Sequence, residues 1–295
     1  ARLWDVQTGQ ELHRFTGHTD GVSSAVFSPD GKSALTGSAD GTARLWDVKS
    51  SSELPSFTGH SNGVSAVAFS PDGKYVLTGG ADHTARLWDA ATGQELCDFI
   101  GHTDGINYGV AFSPNGKYIV TGSFDGTVRL WDAAISRELR RFTDIAQVYS
   151  FAVSPDGKNI FAGSNDTMAW LWNAATGQEL RRFIGHTDLV WSATFSPDGK
   201  YVLTGGGDGT ARLWDTQTGQ ELRRFIGHTA GVQNVAFSPD GRYVLTGSDD
   251  GTARLWDVDY HDTMRYLCSR LLRDFTDDER AQHNITDNEP TCPKP

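Results

Sequence analysis

The chain has 295 residues, 38% hydrophobic and 21% charged, a composition that suits a globular protein with a large core. A formal net charge of −11 argues against a general nucleic-acid surface, because phosphate binding needs a clustered positive field. No apolar run is long enough for a membrane helix, and Cys97, Cys268 and Cys292 have neither the even number nor the spacing of a disulfide framework or a structural zinc site.

The N-terminus opens on Ala1-Arg2-Leu3-Trp4-Asp5 without a basic-then-apolar signal segment, and the few cysteines suit a reducing cytoplasm, the expected location. Residues 1–16 read as a strand ending in Trp-Asp, a Thr-Gly turn and an alternating strand from Glu11 to Phe15. A full unit follows. Gly17-His18 precedes an apolar strand, Val22 to Phe27, and Ser28-Pro29-Asp30-Gly31 supplies a turn in which Pro sets φ and Gly takes positive φ. A strand from Ser33 to Thr36, a tight Asp40-Gly41 hairpin and a strand from Ala43 to Trp46 complete the pattern.

The same unit then repeats. Its tryptophan falls at Trp4, Trp46, Trp88, Trp131, Trp172, Trp214 and Trp256, at spacings of 42, 42, 43, 41, 42 and 42 residues. Four strands this short cannot bury two apolar faces alone, so units must pack on one another. A period of 40–45 residues with Gly-His and Trp-Asp signals marks four-stranded propeller blades. On these residues the chain resembles the WD-repeat β-propeller family across residues 1–258.

The resemblance implies an all-β fold of four-stranded antiparallel blades, with no cofactor, and a protein or peptide partner rather than nucleic acid or membrane. It also implies a buried network in each blade that joins the Gly-His imidazole, a serine or threonine, the hairpin aspartate and the tryptophan. The expected members are His18, Ser38, Asp40 and Trp46; His60, Asp82 and Trp88; His102, Ser123, Asp125 and Trp131; His186, Asp208 and Trp214; and His228, Ser248, Asp250 and Trp256. These residue types also spell a hydrolase triad. A catalytic set should occur once, with an exposed nucleophile; this one repeats, and two units carry Gly80 and Gly206 in place of the serine. The expectation is therefore a non-enzyme. The scattered His13, His83, His261 and His283 give no metal-ligand pattern.

The unit over 134–174 departs most. It lacks Gly-His, so Ser164, Asp166 and Trp172 are expected to lose their imidazole partner and the blade to be the least stable; Asn173, Thr167 and Trp170 replace the usual Asp, Gly and Arg. The preceding unit has one extra residue around Asn107-Tyr108-Gly109, a candidate β-bulge. Near-identical repeats separate architecture from recognition, since positions that vary between units are free to bind. Two such positions run Ser23, Ser65, Asn107, Tyr149, Trp191, Gln233 and Ala39, Ala81, Phe124, Asn165, Gly207, Asp249. In the family both line the channel rim. Asn107, Phe124, Tyr149, Asn165, Leu189 and Trp191 are the expected partner-binding residues, a clustered aromatic hot spot; the alternative is drift, with the rings filling space left by the missing Gly-His.

The ends leave two ring closures open. A seven-bladed propeller has an incomplete first blade, whereas a six-bladed ring uses Glu11 to Phe15 as the fourth strand of the last blade and leaves Ala1 to Asp5 surplus. In residues 259–295, Met264, Leu267, Cys268, Leu271 and Leu272 have helical spacing. Thr276 and Glu279 form a capping-box pattern. This helical tail is expected to pack on the propeller and resembles tails that close propellers of bacterial multidomain signalling proteins. Asn284-Ile285-Thr286 is read as an accidental sequon. Three functions follow in order: a protein- or peptide-binding scaffold or sensing module, a propeller with a small molecule in its channel, and, disfavoured, an enzyme.

Overall fold

The structure, a computed structural model, describes residues 1–5, 7–107, 109–143, 147–259 and 276. The helical segments and the sequon expected beyond residue 259 lie outside the described residues, apart from Thr276. Among the described residues the regular elements are all strands, arranged as seven antiparallel sheets in chain order. The first sheet has two strands, the next five have four each and the last has three. In the second, Val22–Phe27, Ser33–Ser38, Thr42–Asp47 and Glu53–Thr58 pair as a meander, and the other complete sheets repeat that order. Among the described residues no helix is long and apolar enough to cross a membrane.

Two kinds of contact join each sheet to the next. The phenylalanine of an outer strand packs on the following sheet's tryptophan, as in Phe57 on Trp88 at 5.8 Å and Phe183 on Trp214 at 5.8 Å between ring centroids. Both rings of each pair are buried, and burying one aromatic side chain is worth on the order of 2 kcal/mol. Closer to the inner strands a glycine receives the next sheet's methyl groups. A β-carbon on Gly79 would lie 2.7 Å from Ile106 and Val110, and one on Gly163 would lie 2.7 Å from Val190. The backbone itself is the contact surface at these points.

That series has two open ends. Gly247 meets nothing where its counterpart Gly205 meets Val232 and Val235, and Leu245 is 48% exposed where Leu203 is 0%. At the other end Val22 and Phe27 are exposed, although the matching Val64 is buried. The strand Glu11–Arg14 pairs with Arg2–Trp4, not with the last sheet. This corrects the six-bladed alternative: Ala1 to Asp5 is not surplus but part of the first sheet, its Trp-Asp strand and the strand after it being hairpin neighbours as in the next five sheets.

The strand Gly109–Phe112 pairs without a register shift, and the expected bulge involves residue 108, which lies outside the described residues. The other five inner strands do carry a shift, each skipping one residue: Ser23, Ser65, Tyr149, Trp191 and Gln233. Bulges turn a side chain out of the alternating pattern of a strand. The skipped residues are the variable ones.

Candidate functional site

In five sheets the strands and loops assemble one polar chain. His18 Nδ1 lies 2.8 Å from Asp40 Oδ2 and its Nε2 2.8 Å from Thr36 Oγ1, which accepts from Trp46 Nε1 at 2.8 Å. The groups are all satisfied with a proton on Nδ1: the imidazole donates to the carboxylate and accepts from the threonine, which accepts from the indole. The set recurs as His60, Thr78, Asp82 and Trp88; His102, Thr121, Asp125 and Trp131; His186, Thr204, Asp208 and Trp214; and His228, Thr246, Asp250 and Trp256.

The hydroxyl is thus a threonine, and the serines expected in the chain are not part of it. Ser38, Ser123 and Ser248 donate instead to the carbonyls of Asp20, Asp104 and Ala230, fastening the hairpin to the Gly-His loop. In a strand, residues two apart face the same side, so both hydroxyls point the same way, but the threonine is the one level with the indole. Gly80 and Gly206 therefore remove a loop fastener and leave the chain intact. The five threonines are at most 1% exposed. Each hydroxyl is enclosed within its blade and hydrogen-bonded to both the imidazole and the indole.

Each hairpin aspartate also accepts from backbone and side chain nearby. Burial pushes the Asp125 carboxyl up, but hydrogen bonds from His102, Thr127 and the Thr103 N–H outweigh it and hold it well below the usual carboxylate range. Outside the chain, Arg129 and Arg212 bridge their hairpin aspartate to Glu138 and Glu221, the latter at 2.8 Å.

The fifth sheet lacks the histidine, and Ala162 stands where the others have the threonine. Asp166 has other partners instead: Ser164 Oγ donates to it and Trp170 Nε1 donates to Oδ2 at 3.2 Å. Trp170 stacks on Trp172 at 6.0 Å, and Arg182 lies over it at 4.3 Å. Asn173 replaces the terminal aspartate without loss, because its Oδ1 accepts from the N–H groups of Ala175 and Thr176 as Asp47 does from Lys49 and Ser50. Thr167, at φ 68°, holds a left-handed position that glycine fills in most other hairpins, an unfavourable conformation for a β-branched residue.

Six sheets contribute to one cavity of about 860 Å³, five of them through their inner strands. Asn107, Phe124, Tyr149, Leu189 and Trp191 all line it, together with Ser23, Ser65 and Gln233 from the remaining sheets. Asn165 is not in the lining; its Nδ2 donates to Gln147 Oε1 at 3.0 Å. Phe124 and Tyr149 meet edge to face, 5.9 Å apart. The Trp191 ring lies so close over Gly231 that no β-carbon fits there. Sequence reasoning found these residues by their variability. It missed the threonines, for which a signal exists: the threonine occurs in every unit that has Gly-His and is lost in the one without it.

Of the scattered histidines, His13 Nδ1 lies 2.7 Å from Ser51 Oγ and His83 fills a hairpin position at φ 70°. Among the described residues no group of three histidine, cysteine or acidic side chains is placed to hold a metal ion.

Four-stranded sheets packed in chain order, with inner strands converging on one central cavity and a His-Asp-Thr-Trp chain inside the blades, define a β-propeller. The profile of the WD domain, G-beta repeat, matches residues 9–47, 51–89, 93–132, 137–173, 177–215 and 219–257. The chain belongs to the WD-repeat family. Repeats of this family generally mediate protein–protein interaction, and their propellers are typically non-catalytic scaffolds. No curated protein matches the chain.

Proposed function

We propose that this propeller is a non-catalytic platform that binds a protein or peptide at the mouth of its central channel, through Phe124, Tyr149, Leu189 and Trp191 with Asn107 beside them. One observation carries the reading. The bulge residue of the inner strand is small or polar in the second, third and seventh sheets but becomes Tyr149 and Trp191 in the fifth and sixth, next to Phe124 of the fourth. Bulged side chains take no part in the ladder, so strand pairing does not require them to be large. Partly exposed aromatics around a cavity are what an interface anchor requires.

The test is selection of a random peptide library on the 295-residue chain, followed by affinity measurements on Trp191→Ala and Tyr149→Ala. A loss of at least about tenfold is expected for an anchor residue, with an unchanged unfolding temperature. Unaltered affinity in both variants rejects the rim. A cavity of about 860 Å³ also falls within the size range of small-molecule sites. A thermal-shift screen against metabolites separates that reading, since only a bound ligand raises the unfolding temperature.

A further inference from the structure

We propose that the partner presents lysine or arginine to the channel mouth, an inference that rests on the rim reading above and names the chemistry it selects. The face that carries the mouth is built from the Gly-His loops and the hairpins between second and third strands. None of these segments, from 17–21 and 38–41 through 227–231 and 248–251, contains a lysine or an arginine. They do carry exposed carboxylates at Asp20, Asp104, Asp188 and Asp249. The opposite face is different: each Ser-Pro-Asp-Gly-type turn there ends in a cation, from Lys32 and Lys74 to Lys200 and Arg242. Most of those cations are paired with the aspartate of their own turn, as Lys32 is with Asp30 and Lys74 with Asp72, whereas the acids at the mouth have no lysine or arginine in the same segments, and the aromatic sector sits on that face.

The acids are tied to the aromatic residues through the backbone. Asp104 precedes Gly105, whose carbonyl accepts from the Phe124 N–H at 3.2 Å. Asp188 precedes Leu189 of the cavity lining, and the lack of a side chain at Gly207 leaves room for its carboxylate. Asp249 Oδ2 accepts from Gln233, which also lines the cavity. Asp104 and Asp188 each use one oxygen on the next N–H, and among the described residues neither has a cation paired to it. The nearest candidates, Arg129 and Arg212, are buried and held by Glu138 and Glu221 on the outer side.

Two physical effects then favour one ligand class. Aromatic faces attract ammonium and guanidinium groups, and a face with acids and no cations steers a positive ligand in while repelling an acidic one. A neutral apolar peptide gains only from the rings. A basic one gains from both.

The test uses three fluorescein-labelled decapeptides that share one apolar anchor and differ in bearing two lysines, two serines or two glutamates. Anisotropy titrations of the full chain are expected to rank lysine over serine over glutamate, with the lysine peptide at least about tenfold tighter than the glutamate peptide at low salt and the gap shrinking as salt screens it. Asp104→Asn with Asp188→Asn should bring the lysine peptide to the serine level. Asp98→Asn, on an outer strand away from the mouth, should change nothing. Equal affinity of all three peptides, each lost in Trp191→Ala, overturns the charge preference and leaves the rim in place. Lysine-peptide binding unaffected by Trp191→Ala overturns the rim and the preference together. Far-UV circular dichroism of each variant distinguishes lost binding from lost fold.

Discussion

The indole N–H of Trp170 donates to Asp166 in the one blade that has no histidine. Trp170 also takes the place of the arginine that contacts the hairpin aspartate elsewhere, as Arg212 contacts Asp208 at 3.2 Å. One residue thus covers two absences: Asp166 has lost its imidazole partner, as expected, and the Trp170 indole donates in its stead. Trp170→Phe keeps most of the ring and removes the donor. Losing a hydrogen bond to a buried carboxylate costs about 1–3 kcal/mol, and a lowered urea midpoint with an unchanged slope is the expected result. An unaltered midpoint would show that water satisfies the carboxylate equally well.

The threonine and serine of a blade give a paired comparison. Thr121→Val is nearly isosteric but leaves His102 Nε2 and Trp131 Nε1 without their shared partner inside the blade, a cost of about 2–3 kcal/mol. Ser123→Ala removes the bond to the Asp104 carbonyl and an acceptor for the Asp125 N–H, with no ring nitrogen left unpaired, for about 1 kcal/mol. Equilibrium urea unfolding of both variants ranks them, and the reverse order would restore the serine to the chain.

Acid should loosen the blades in two stages. Burial pushes the His60 imidazole down from 6.5, against the pull of Asp82, so the unfolded chain takes up this proton more readily than the folded one. The stability it provides is full above 6.5 and lost as pH falls through its folded value. The hairpin aspartates, Asp82 and Asp125 among them, are also depressed, so their contribution is present above 3.8 and lost on further acidification. The unfolding midpoint is expected to be flat above neutrality, to decline below 6.5 and to fall steeply below 3.8. A His60 ring resonance that titrates above 6.5 would contradict the first stage.

Two glycines in equivalent strands should respond oppositely to a methyl group. At Gly163 the new carbon would lie 2.7 Å from Val190 Cγ1 and 2.8 Å from its carbonyl oxygen, and backbone cannot step aside. Overpacking of this kind costs about 1–3 kcal/mol or more. At Gly247 nothing stands within 4 Å, so alanine should leave stability unchanged or raise it by up to about 1 kcal/mol through its better strand entropy. Differential scanning calorimetry on Gly163→Ala and Gly247→Ala checks the pair.

The seven tryptophans, the turn residues and the variable rim positions are all legible in the sequence, because each unit is an internal control for the others. The hydroxyl of the polar chain is harder to read. Thr36 and Ser38 share a strand face, and only their level relative to Trp46 separates them, which depends on the pairing register. Trp170 is harder still. Its sequence signal is a departure from arginine, while its role depends on the simultaneous changes to Ala162 and Asp166's missing imidazole. The pairing of Glu11–Arg14 with Arg2–Trp4 was open because the same strand sequence fits either neighbour.

Placing the variable residue in a bulge has an effect on how such a molecule can diversify. A residue that the strand pairing skips can change size or charge without shifting the alternation of the residues on either side. Five sheets therefore each offer one site that can change without disturbing strand pairing, and neighbouring sites are tuned together where their side chains meet across sheets, as Phe124 meets Tyr149 and Trp191 covers Gly231.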